Sequence, residues 1–308
     1  MTAPMISNQW PRFVLPVIRK EWEQQLAAVK SPAEQLFGME TSDSSVEYSQ
    51  GIGNMGLFDE YNASTAEGMP AAIKYDSFSP LYETTFTHKE YSKGLAIERK
   101  LWDDNRSGTI KRKATSFGTA AGRSRAYHQS SVFNNAFATV EGGDGVYLCS
   151  ASHPLNKNSS DVFGNLGNTA LSYDAVKATL ILGSAAVNDR DLPMPILYNV
   201  LYVPTGLQGK AYEIVNAMAK PGTADNDANF LQANPLQVVV DPYLTDANNW
   251  FMVDSAMSQQ HLLWFDRIRP EVAMDPSSDY SLVAKYRGYM RYSFGWDDAN
   301  WIYGHSVT

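Results

Sequence analysis

The sequence of 308 residues holds a single cysteine, Cys149. An intramolecular disulfide is excluded, and a cysteine-based zinc cluster has too few ligands. One thiol suits a chain that folds in a reducing cytosol. The histidines His88, His128, His153, His261 and His305 are scattered, and no two share metal-ligand spacing. Positive charge is also scarce: 25 Lys and Arg stand against 33 Asp and Glu, a net charge of −8. Dedicated nucleic-acid binders normally carry a basic surplus, because phosphate contacts supply most of their affinity. The acidic balance therefore argues against tight neutralisation of DNA by this chain, though not against DNA as a neighbour. No apolar run approaches the roughly 20 residues needed to cross a bilayer, and no membrane partner is expected. The opening residues, MTAPMISNQWPRF, show no basic segment followed by an apolar run, so no signal peptide is expected.

Catalytic signatures are equally sparse. There is no GxSxG elbow, no P-loop and no HExxH. The run GIGNMG at 51–56 matches the dinucleotide-binding glycine pattern, with Asp76 about twenty residues on. That pattern needs a helix opening on the glycines to receive a pyrophosphate. The following LFDEYNASTAEGMP has no helical period, so a loop is the better reading. Asp103, Asn105, Ser107 and Gly108 look like the start of a calcium loop, but Ala114 stands where the closing bidentate acid must be. Cys149 and His153 leave a Cys–His nucleophile as an alternative to a structural histidine before Pro154. No catalytic residue, cofactor or metal site is assigned, and a non-enzymatic role is expected.

What the chain does have is apolar and aromatic content. Hydrophobic residues make up 44%, with seven Trp, seventeen Tyr and thirteen Phe, which excludes a disordered chain. Val14, Ile18, Trp22, Leu26 and Val29 form one helical stripe, ended by Pro32. A stripe this narrow needs a surface to lie on. Residues 39–45 read as polar and loose, and 46–70 as irregular chain. Ala72 to Phe78 and Tyr82 to Glu98 read as two strands of a long hairpin with polar residues on both faces, marginal alone. Ile110, Ala114, Phe117, Ala121, His128 and Val132 predict a long helix over about 109–138, capped by Ser107 or Thr109, with TAAG at 119–122 permitting close packing. A short strand is predicted at 146–149. Helices are predicted at 172–187 (N-cap Ser172) and 206–219, and strands at 198–203, 237–240 and 250–253. From Leu282 to Trp296 apolar and polar residues alternate, as in a long half-exposed strand, and a final strand follows at 301–303.

This order of segments resembles the α+β Hong Kong 97-type fold of tailed-phage major capsid proteins. The runs YSKGLAIERKLWDDNRSGTIKRKATSFGTAAGRSRAYHQSSVFNNAF, DGVYLCSASHP and FGWDDANWIYGH are similar to the hairpin exit and spine helix, the aromatic strand with a His-Pro turn, and the C-terminal strand pair of Mu-like head subunits. The resemblance implies an N-arm at 1–45 and an extended E-loop at 46–95. It implies a P-domain of 96–164 with 260–308, and an A-domain at 165–259. It also implies self-assembly into hexamers and pentamers of an icosahedral shell around double-stranded DNA. The implied setting is a virion assembled in the host bacterial cytoplasm. A separate scaffolding protein, a portal and a cement protein are the implied partners.

On this reading, contacts between subunits are expected at Trp10, Trp22, Phe58, Tyr61, Lys74, Tyr75, Phe78, Tyr82, Lys89, Arg123 and Arg125. The rivals are an encapsulin-like nanocompartment shell enclosing a cargo enzyme, a cytosolic α/β enzyme using Cys149, and a minor head or decoration protein.

Overall fold

The computed structural model describes residues 10–58, 75–76, 80–104, 106–155, 157, 161–217, 228–276 and 282–307. Helix α1, Trp10–Ala28, carries the predicted stripe, with Trp10, Val14, Ile18 and Trp22 buried. Its surface lies in the same chain. After β1 (Gly38–Thr41), β2 (Val46–Ile52), β3 (Pro80–Thr87), β4 (Lys89–Glu98) and the short α2 (Arg99–Asp103) comes the long helix α3, Ser107–Asn134. Helices α1 and α3 pack with the Trp22 and Phe117 rings 4.6 Å apart. Glycine makes the approach possible. A Cβ on Gly118 would lie 2.9 Å from the Trp22 carbonyl oxygen, and one on Gly122 would lie 2.7 Å from the Val29 Cβ. Elsewhere in a helix, glycine to alanine stabilises by about 1 kcal/mol. Gly118→Ala is expected to do the reverse and destabilise the chain by about 1–2 kcal/mol, because a backbone carbonyl cannot step aside cheaply. Urea denaturation measures this, and a stabilised variant would mean that the helices are not in backbone contact. The N-cap of α3 is Arg106, without a side-chain cap bond, so neither Ser107 nor Thr109 caps it as expected.

Past α3 the chain forms β5 (His153–Pro154), β6 (Val162–Phe163), β7 (Leu166–Gly167), α4 (Tyr173–Ser184), β8 (Val200–Pro204), α5 (Gln208–Asn216), β9 (Gln237–Asp241) and β10 (Trp250–Val253). It ends with α6 (Ser255–His261), β11 (Leu262–Met274), β12 (Val283–Trp296) and β13 (Ile302–His305). Ser172 caps α4 as predicted, its side chain accepting from the Ala175 N–H. The strand expected at 146–149 reduces to a single bridge, Glu141 to Tyr147.

One sheet has the order β1-β11-β12-β4, parallel between β1 and β11 and antiparallel elsewhere. Strand β12 alternates as its sequence predicts: Ala284, Tyr286, Met290, Tyr292 and Trp296 are buried. Residues 39–41, within the stretch 39–45 read as loose, belong to the edge strand β1 of this sheet, and 46–52, within the stretch read as irregular, pairs with β3. The hairpin is therefore β2–β3. Strand β4, expected within it, pairs along β12 from Lys89 to Glu98, so the change of partner falls at His88 rather than near residue 95. Most of the strand expected at 72–78 lies outside the described residues.

The second sheet runs β7-β13-β10-β8-β9. Both faces are covered, which explains why β8 and β10 are apolar throughout. Val200, Tyr202, Phe251 and Val253 face the end of α3 around Phe133, whereas Leu201, Val203, Trp250 and Met252 face α4 and α5.

Candidate functional site: the assembly surface

Cys149, His153 and His261 are each engaged structurally. Cys149 is buried, and burial pushes its thiol well above the ordinary range, which removes the nucleophilic thiolate. Its surroundings are tight: a Cβ on Gly304 would lie 2.5 Å from the Cys149 Sγ. His153 turns to Asp144, with Nδ1 2.7 Å from the carboxylate, and stacks on Phe163. His261 bonds Asp297 at 2.9 Å; burial alone would lower its pKa, but the Asp297 bond and the charges of Asp298 and Asp297 raise it. The glycine-rich run at 51–56 ends strand β2 and continues without helix over the described residues up to 58. Its Gly56 N–H donates to Asp76, which is also held by Arg190 at 2.6 Å. Among the described residues no group of three or more His, Cys, Asp or Glu could hold a metal ion, and no helix is long and apolar enough to cross a membrane.

The expected contact residues divide sharply. Trp10 and Trp22 are buried against α3 and the β12 strand of their own chain, so their rings are not available to a neighbour. Arg125 is likewise engaged internally. Its Nη1 and Nη2 donate to the two Asp266 carboxylate oxygens at 2.7 and 3.0 Å, and its guanidinium lies 4.8 Å from the Trp264 ring centroid. These corrections share a cause: an aromatic or an arginine marks a contact in sequence but not which chain supplies the other half. Tyr82 is half-buried, with Lys157 Nζ 5.7 Å from its ring centroid. Lys89 and Arg123 are exposed. Phe58 and Tyr75 are 101% and 92% exposed. Tyr61, Lys74 and Phe78 lie outside the described residues.

The β2–β3 hairpin is less self-insufficient than its polarity suggests. At its base, Phe86 is buried beside Phe265, with ring centroids 5.3 Å apart. His88, where the partner changes, bonds Ser42 and Ser293, each at 3.0 Å. Ser49 donates to Asp297 at 2.5 Å. Toward the tip the picture inverts: Met55, Leu57, Phe58 and Tyr75 are all exposed.

A second exposed apolar surface was not anticipated. Ile181, Leu197 and Phe230 line a groove of about 340 Å³ beside α4, next to exposed Leu182. The signal was present: in YDAVKATLILGS, Ile181 and Leu182 fall off the buried stripe of Val176 and Thr179. Exposed Tyr127 similarly sits one turn after Arg123 on the outer face of α3.

Two separate exposed apolar surfaces among the described residues suit contact with other protein. The arrangement of hairpin, long helix, long-stranded sheet and covered second sheet is the Hong Kong 97-type capsid fold. Residues 82–304 match the family model described as phage capsid protein. The chain belongs to the phage capsid protein family: it is a structural protein of the phage head, built into the virion shell from multiple copies of itself. No curated protein matches the sequence. Among solved structures, the capsid of bacteriophage JBD30 decorated with minor capsid protein trimers is similar at TM-score 0.53 and 16% identity, over 70% of this chain and 91% of that one. The virus-like particle from Pyrococcus furiosus is similar at TM-score 0.55 and 9% identity, over 94% and 97%. The capsid of an empty GTA particle is similar at TM-score 0.50 and 14% identity, over 91% of each chain. At such identities the likeness establishes the fold.

Proposed function

We propose that the chain forms the hexamers and pentamers of an icosahedral head that encloses double-stranded DNA, with no catalytic step of its own. The observation that carries this reading is the hairpin tip, where Leu57, Phe58 and Tyr75 are apolar and almost fully exposed in the single subunit. Such residues have a use once a neighbour covers them. On this reading 96–164 with 260–308 form the P-domain and 165–259 the A-domain. The groove at Ile181 and Leu197 then serves contacts around the capsomer axis. Assembly takes place in the host cytoplasm on a separate scaffolding protein, with a portal, and a cement protein is a further partner.

Negative-stain microscopy of particles from infected cells, with nuclease treatment, tests the proposal. Icosahedral heads holding nuclease-protected DNA are expected. A second reading, a nanocompartment of the encapsulin kind, is favoured by the similarity to the Pyrococcus furiosus particle. Small thin shells holding protein and no protected DNA would replace the first reading with the second. A stable small oligomer that never assembles would defeat both.

A further inference from the structure

We propose that the exposed basic cluster around the start of α3 is a contact surface for nucleic-acid phosphate. The proposal rests on the reading that the shell encloses double-stranded DNA.

The cluster stands out against an acidic chain. From Arg99 to Lys113 there are six cations (Arg99, Lys100, Arg106, Lys111, Arg112, Lys113) and two acids (Asp103, Asp104), so the segment carries 6 − 2 = +4 within a chain of −8. Arg99 is neutralised locally by Asp103 at 3.2 Å. The other five cations have no ion-pair partner among the described residues, and all five are exposed. Three arginines elsewhere in the chain are paired instead: Arg125 with Asp266, Arg190 with Asp76 and Arg267 with Asp43.

Spacing and composition point to phosphate rather than to an acidic protein. Lys111, Arg112 and Lys113 are consecutive on α3, so they fan over its exposed side, and no acid stands three or four residues from any of them to neutralise it within the helix. Arg106 and Lys113 are separated by about 10 Å along the axis at a rise of ~1.5 Å per residue. That length faces roughly three phosphates of one DNA strand. Protein–protein interface cores, in contrast, are depleted of lysine and need apolar side chains at their centre. Three of these five cations are lysines, and they line none of the apolar grooves described above. The segment holds a single aromatic, Trp102, and so no row of rings on which successive bases could stack; the contact is to backbone and carries no sequence preference.

The test uses the full chain and a fluorescent 30-base-pair duplex, with anisotropy titrations from about 50 to 300 mM salt. The unaltered chain is expected to bind with a salt-dependent constant. Lys111→Gln, Arg112→Gln and Lys113→Gln together should lower affinity at least tenfold in low salt and flatten the log–log salt slope by about 3, at ~0.9 for each phosphate no longer neutralised. Lys100→Gln with Arg106→Gln should flatten it by about 2 on the same scale. Lys210→Gln, on α5, should leave it unchanged. Equal slopes for the unaltered and triple-variant chains overturn the proposal. So does tighter binding to poly-glutamate than to the duplex, which would assign the cluster to an acidic protein. The enclosing function itself is judged separately: particles of the unaltered chain that lack protected DNA sink that reading whatever the duplex titration returns.

Discussion

Replacing Leu57, Phe58 and Tyr75 by serine is expected to abolish shell formation while leaving the subunit folded. The three side chains are 78%, 101% and 92% exposed, so none contributes to the core of its own chain. Surface substitutions of this kind change stability by no more than about 0.5 kcal/mol. Burying each of the three against a neighbour is worth about 1.5–3 kcal/mol, on the order of 5 kcal/mol for the set. That lowers the constant for each contact by roughly a thousandfold or more. A shell repeats the contact at every subunit, so the concentration at which particles appear rises accordingly. Light scattering and sedimentation of the purified chain read the assembly, and circular dichroism with a thermal melt reads the fold. Particles forming at the unaltered concentration would show that the hairpin tip is not an assembly contact. Phe86→Ser is the contrasting variant. Phe86 is buried between Phe265 and the backbone at Gly295, so its loss should lower the melting temperature of the subunit itself.

The contrast between Phe58 and Phe86 also marks how far the sequence could be read. Elements with a strict local period were legible. The stripe from Val14 to Trp22, the alternation along β12 and the Ser172 cap are each set by residues a few positions apart. Strand β11 was missed although its 13 residues make it one of the longest elements. Its pairing with β12 shifts register between Asp266 and Ile268 and again between Ile268 and Glu271. These irregularities, with Pro270 and alternating charge, erase the period-two signal. Strand β1 was missed because its only partner is β11, more than 200 residues away in the chain. The proposed assembly surface was divided for the same reason. Phe58 and Tyr75 are exposed, but Trp22 finds Phe117, and Arg125 finds Asp266. Whether such a residue meets its own chain or a neighbour is decided by tertiary placement, which no local pattern encodes.

Tertiary placement also fixes the response of the chain to acid. His305, on β13, is stacked on Trp250 with centroids 3.9 Å apart and rings nearly parallel. Its Nε2 lies 3.0 Å from the Thr179 hydroxyl, which itself donates to the Ala175 carbonyl. The hydroxyl must therefore accept, and the Nε2 proton is the one present in the neutral ring. Nδ1 is buried without a partner, walled by the backbone at Gly167. Protonating it would create a buried N–H with no acceptor, and burial accordingly lowers the His305 pKa from 6.5 to about 4. Above pH 6.5 the ring is neutral in folded and unfolded chains alike, and it adds no pH dependence. Below that value the unfolded chain binds a proton that the folded chain refuses, so stability falls by about 1.4 kcal/mol per pH unit down to the folded pKa. At pH 4.5 the loss from this one group should reach about 2–3 kcal/mol. His128, lowered by burial and then by Lys89, and His88, lowered by burial and then by Arg291, act in the same direction, whereas the raised His261 opposes them. His305→Phe keeps the stack on Trp250 and leaves Thr179 its bond to Ala175, at a cost of about 1 kcal/mol at neutral pH for the missing hydrogen bond. Denaturant midpoints at pH 7 and 4.5 should show the unaltered chain losing about 2–3 kcal/mol more than this variant on acidification. Equal losses would mean that His305 does not titrate in this window, and that the acid response of the sheet formed by β7, β13 and β10 arises elsewhere.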